Sequence, residues 1–125
     1  MVDNLAFKSK SEVGKRAYAF SLRILKLCDF LPNKKSVWII SDQLLRSSMS
    51  IGANIAEGQG SSSRKEFRRF YQISYRSLIE TRYWLFLLLD SKIVSQKNIE
   101  SLINELDEIS RMLTKAILSL KKKAK

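Results

Sequence analysis

Six apolar residues, Val13, Ala17, Phe20, Ile24, Leu27 and Leu31, follow one another at alternating steps of four and three. An α-helix, at about 3.6 residues per turn, gathers such a set onto one seam, whereas a strand would scatter it over two faces. Three more stretches carry the same period. Val37, Ile40, Leu44, Ser48, Ile51 and Ile55 make a second seam, and Phe67, Phe70, Tyr71, Ser74, Leu78, Leu85 and Leu88 a third. Ile99, Leu102, Leu106, Ile109, Leu113, Ala116 and Leu120 make the fourth.

The breaks between the seams are equally plain. Pro32 and Asn33 stop the first helix, and Asn33 offers a cap for the second. Gly58-Gln59-Gly60-Ser61-Ser62 closes the second, since Gly tolerates the left-handed conformation that ends a helix. Ser9 with Glu12, and Ser63 with Glu66, have capping-box spacing at two helix starts. The expected helices cover about 11–31, 34–57, 64–91 and 96–121, the last fraying into Lys121-Lys122-Lys123-Ala124-Lys125. Four amphipathic helices on short connections imply an all-α, antiparallel up-down four-helix bundle, one domain over residues 1–125.

Several absences narrow the chemistry. The chain has no His, which removes the commonest general base and transition-metal ligand. Cys28 is its single cysteine, so no internal disulfide can form, and a reducing cytoplasm suits it. Met1 to Ser11 lacks the apolar core of a signal peptide. The longest apolar run, Tyr83 to Leu89, is bounded by Arg82 and Asp90 and is too short to span a bilayer. Gly58-Gln59-Gly60 lacks the Lys-Ser/Thr of a phosphate-binding loop, and Glu100, Glu105, Asp107 and Glu108 lack di-metal spacing. No catalytic centre, cofactor or membrane partner is expected. A carboxylate enzyme built on Glu57 or Glu80 is the poorest fit.

The charge points elsewhere. Lys and Arg number 23 against 12 Asp and Glu, a net charge of +11 that draws polyanions and repels other copies. On the third helix Arg64, Lys65, Arg68, Arg69, Arg76 and Arg82 share an arc of about 140°, almost opposite the apolar seam. Glu66 and Glu80 lie outside that arc. A single-sign stripe can track a phosphate backbone; the plainer alternative is a solvated face. Lys34, Lys35 and the terminal lysines extend it only if folding brings them close.

Beyond Arg82 the same helix turns apolar nearly all round. Tyr83, Trp84, Phe86 and Leu87 lie off its seam and are read as an oligomer interface. The second helix is unusual in another way, because Arg46 to Gly58 is rich in small residues. Gly52 in mid-helix costs about 1 kcal/mol against Ala, which close helix packing would offset. Asn54 and Glu57 are expected to hydrogen-bond across that contact.

The stretch Leu44-Leu45-Arg46-Ser47-Ser48-Met49-Ser50-Ile51-Gly52-Ala53-Asn54-Ile55-Ala56-Glu57-Gly58, then Ser63-Arg64-Lys65-Glu66-Phe67, resembles the four-helix-bundle family of 23S rRNA intervening sequences. Ser77-Leu78-Ile79-Glu80-Thr81-Arg82-Tyr83-Trp84 resembles the same family's third helix. On this resemblance Arg46, Asn54, Glu57, Gly58 and Glu66 are structural motif residues. The family is related to the accessory variability determinant of diversity-generating retroelements. The resemblance implies a homopentameric, barrel-like ring with basic surfaces, able to bind nucleic acid and a partner such as a reverse transcriptase. Two departures bear on anion contacts: Ser61 stands where relatives often have Arg, and Arg76 where they often have Gly. The expected function is non-specific RNA or DNA binding by a non-enzymatic homo-oligomer. The rival is a protein-interaction scaffold whose charge serves solubility.

Overall fold

The structure is a computed structural model and describes residues 4–123. Four helices fill it: α1 (Glu12–Asp29), α2 (Lys35–Gln59), α3 (Arg64–Ser91) and α4 (Gln96–Lys123). Each packs on its neighbours in the chain, and α1 closes the bundle on α4. One continuous core runs through the centre, with Phe20, Ile24, Leu44, Ile51, Leu78, Leu85, Leu106 and Leu113 fully enclosed. The seams read from the sequence supply most of it. Ile103, Ser47 and Thr81 are also buried, while Ile40, Phe67 and Ala116 reach only its edge.

The helix ends follow local chemistry, with corrections to the expected caps. Ser63 caps α3 as its spacing predicts, its hydroxyl accepting from the Glu66 amide. At α1 the cap is Ser11, not Ser9; Ser11 accepts from the Gly14 amide, while Ser9 Oγ accepts from the Ser11 amide. Asn33 does not cap α2. Lys34 holds that position without a side-chain bond, and Asn33 Oδ1 accepts from the Trp38 indole at 2.6 Å. Neither loop glycine is left-handed; Gly60 has φ −91°, and three carbonyls of the last turn converge on its amide. The left-handed residue is Lys92 (φ 59°), which ends α3. Helix α4 continues through the first terminal lysines to Lys123, and Ala124 and Lys125 lie outside the described residues.

The α2–α3 contact is bridged by hydroxyls. Ser74 Oγ donates to the Ile51 carbonyl at 2.8 Å, Thr81 Oγ1 to Ser47 Oγ at 2.8 Å, and Ser77 Oγ to Ser50 Oγ at 2.9 Å. Each satisfies a polar group that would otherwise cost about 1–3 kcal/mol when buried. On the opposite side, Arg16 of α1 forms a bidentate pair with Glu105 of α4 at 2.7 and 2.9 Å. That carboxylate contact raises the already high pKa of Arg16, so the guanidinium is charged at any ordinary pH.

The two glycines of α2 differ. A methyl on Gly52 would sit 3.6 Å from Ala17 Cβ, an ordinary contact, so close packing does not require Gly there. A methyl on Gly58 would press within 3.1 Å of Phe70 Cβ and of the Tyr71 ring, and 3.3 Å from the Phe67 carbonyl oxygen. The Tyr71 ring cannot easily yield, because Gln59 Nε2 donates to its hydroxyl and to Ser11 Oγ. Gly52→Ala is therefore expected to raise stability by about 0.5–1 kcal/mol. Gly58→Ala is expected to lower it by about 1–2 kcal/mol through overpacking. Urea unfolding of both variants measures the contrast.

Candidate nucleic-acid interface

Antiparallel packing sorts the charge along the bundle. The ends of α2 and α4 meet the starts of α1 and α3 at one pole. Residues 4–20, 48–77 and 110–122 make up that half, where thirteen Lys and Arg stand against three Glu. In the other half, residues 21–47 and 78–109, eight Lys and Arg face eight Asp and Glu. The excess positive charge of the described chain thus gathers at one end.

At that basic pole Arg64, Lys65, Arg69 and Arg76 are exposed and Arg68 is half-buried. The Arg69 guanidinium lies 5.6 Å from the Phe70 ring centre, a cation–π contact. Lys121 and Lys122 of α4 lie at the same pole and are exposed. So do Lys10 and Lys15, which lie outside α3; only the topology brings them there. Lys34 and Lys35, in contrast, start α2 at the opposite pole and do not extend the surface.

Arg82 is placed differently from the rest of its stripe. It turns toward α4, with Nη2 3.4 Å from Asp107 Oδ1, and its guanidinium lies 5.4 Å from the Phe86 ring centre. Its Nε is buried without a hydrogen-bond partner among the described residues. The pair is partly open to solvent, so it contributes under about 1 kcal/mol, but it fixes the side chain away from the pole.

The apolar residues beyond Arg82 stand outward. Tyr83 is 62% exposed, with Phe86 and Leu87 beside it, and Ile79 joins them one turn earlier. Trp84 is half-buried instead; its Nε1 donates to Glu80 Oε2 at 3.0 Å, and its ring meets Tyr83 edge-on. The outward face of α3 is thus basic along its first half and apolar along its second.

The motif residues of α2 correct another expectation. Asn54 does not cross to α3: its amide donates to the Ser50 carbonyl and hydroxyl within α2, and Ser50 in turn accepts from Ser77. Glu57 is exposed with no ion-pair partner among the described residues, and Arg46 pairs with Asp42 on the surface at 3.2 Å. Glu66 has its backbone amide in the α3 cap, and Gly58 is the tight contact described above. Burial pushes the Cys28 thiol up, away from the reactive thiolate. Among the described residues, no group of three or more acidic or Cys side chains could hold a metal ion, and no helix is long and apolar enough to cross a membrane.

The geometry defines an all-α bundle with one cationic pole and an apolar flank. The profile of the 23S rRNA-intervening sequence protein family matches residues 9–115, and the chain belongs to that family. A solved protein of unknown function from the S23 ribosomal protein family of Bacteroides thetaiotaomicron is 36% identical. Its TM-score is 0.79, and the match covers 84% of this chain and 97% of that one. No curated protein matches.

Because Arg82 is committed to Asp107 and Phe86, Arg82→Gln should leave polyanion affinity within about twofold. Arg69→Gln, at the open pole, should weaken it about threefold to tenfold. Fluorescence anisotropy of a labelled oligonucleotide at fixed salt compares the two.

Proposed function

We propose that this chain is a homo-oligomeric basic bundle, a ring of five by its family resemblance, that binds RNA or DNA without sequence readout through its cationic pole. It acts as an accessory to a larger nucleic-acid enzyme such as a reverse transcriptase. The observation carrying this reading is the concentration of charge: thirteen cations against three acids in one half of the bundle, and balance in the other. Solubility alone is served equally well by scattered charge, whereas a phosphate backbone rewards clustered charge because each neutralised phosphate releases a counterion. The exposed Arg and Lys of α3 and α4 supply donors to phosphate oxygens, which position a strand but carry no sequence information. A ring whose poles share one rim multiplies that field.

The test compares two variants of equal net charge that differ in where the charge is reversed. Arg64→Glu, Lys65→Glu and Arg69→Glu together reverse three cations at the basic pole. Lys34→Glu, Lys35→Glu and Lys92→Glu reverse three at the other. Binding of single-stranded RNA should fall about a hundredfold in the first triple variant, and its dependence on salt should flatten by about two units of log–log slope. The second should stay within about threefold. Equal losses would show that only total charge matters and would defeat the assignment of a pole. A wild-type protein that ignores RNA at low salt would favour the protein scaffold.

A further inference from the structure

We propose that the groove between α3 and α4 at the basic pole takes an unstacked nucleobase, so that this chain grips a single strand by base as well as by phosphate. The inference rests on the proposed nucleic-acid binding and names the form of nucleic acid that the cationic pole takes.

The Arg82–Asp107 ion pair sets the level of α3 against α4. The two helices are antiparallel, so equal steps from that level toward the basic pole keep residues opposite one another. Seven residues, nearly two turns, bring Tyr75 of α3 opposite Thr114 of α4, each still on the side that faces the other helix. Seven more bring Arg68 opposite Lys121. Along this stretch lies a groove of about 430 Å³, lined by Gln72, Tyr75, Arg76, Thr114, Ile117 and Leu118. Its volume falls among those of ordinary small-ligand sites.

The walls are unlike a solvated seam. Tyr75 and Ile117 rest on the edge of the core, while Leu118 is 56% exposed. Gln72 and Thr114 are exposed beside them. Neither residues 68–79 nor residues 110–121 include an acid. Arg68, Arg76 and Lys121 have no ion-pair partner among the described residues. Arg68 and Lys121 thus oppose each other as like charges, on helices whose axes lie about 8–10 Å apart in ordinary packing. A phosphate between them turns that repulsion into charge-assisted hydrogen bonds.

The order of these features suits one nucleotide of a strand. The anion site lies toward the pole, and the aromatic residue follows about 10 Å along at 1.5 Å per residue. Tyr75 supplies a ring for stacking, and Ile117 and Leu118 supply apolar contact. The Gln72 amide and the Thr114 hydroxyl each donate and accept, so they suit the edge of any base and keep binding tolerant of sequence. A duplex pairs its edges and stacks its faces, and it cannot enter the groove unless a base flips out. An acidic apolar peptide would meet the same cations. The nucleotide is favoured because Arg64 stands one turn before Arg68, so a strand held along α3 by its phosphates leads to the groove.

The test compares a short single-stranded oligonucleotide with an equally long strand whose bases are replaced by abasic sites, by fluorescence anisotropy at one salt concentration. The two carry the same phosphates, so a difference between them reports the bases. The oligonucleotide should bind about tenfold more tightly. Tyr75→Leu should bring the two within about twofold, whereas Tyr75→Phe should keep the difference. Leu118→Ala, at an exposed position, should lower it about threefold. Circular dichroism checks that each variant is folded. Equal affinity of the wild-type chain for both strands would overturn the groove as a base site, leave it to an acidic peptide, and leave the cationic pole standing. Tyr75→Leu weakening both strands alike would overturn it too. Binding of neither strand at low salt would defeat the cationic pole and the groove together.

Discussion

The contact between α2 and α3 uses side chains too small to fill a core by bulk, and hydroxyls span the gap instead. Ser74 reaches the Ile51 carbonyl, Thr81 reaches Ser47, and Ser77 reaches Ser50, about one helical turn apart. A leucine seam can slip by a fraction of a turn and repack. This one cannot, because a slip separates all three donors from their acceptors while they remain away from water. The close approach continues to Gly58, where the backbone of α2 rests on Phe70 and Tyr71. From there Gln59 carries the register to α1 by bonding both Tyr71 and the Ser11 cap. Three helices are thus held at fixed heights by a few small polar groups.

That fixed register turns order along the chain into order along the bundle. The first half of α3 carries Arg64, Lys65, Arg68 and Arg69, and its second half carries Tyr83, Phe86 and Leu87. With the helices level, the basic half of α3 lies at the same pole as Lys121 and Lys122 in the last turn of α4, and its apolar half lies where charges balance. Cationic and apolar surface thereby occupy different parts of one helix face. Arg76 stands exposed at the boundary between them.

The periodic spacing made the four helices and nearly all their buried residues legible, because burial of one apolar stripe depends mainly on the 3.6-residue period. The α3 cap at Ser63 was legible for the same local reason. Ser11, Lys34 and Lys92 were not, since competing donors nearby and the shape of each turn decide which residue caps a helix. The basic stripe was visible residue by residue, yet its extent was not: topology adds Lys10, Lys15 and Lys121, and sets Lys34 and Lys35 far away. Arg82 falls in the basic arc, but its long side chain can lean toward a neighbouring helix, and Asp107 offered a closer charge. Ile79 stands one turn before the aromatic run, on the basic side of Arg82, and only its exposure in the folded bundle joins it to the apolar flank.

A body with its excess charge at one end experiences a torque as well as an attraction in the field of a polyanion. The bundle would turn before it touches, arriving with the α2–α3 loop foremost and the Tyr83 flank trailing. Orientation normally limits how many encounters between macromolecules succeed, and such alignment removes part of that loss. The separation of thirteen cations from a balanced half would thus bear on how fast a polyanion is met as well as how tightly it is held.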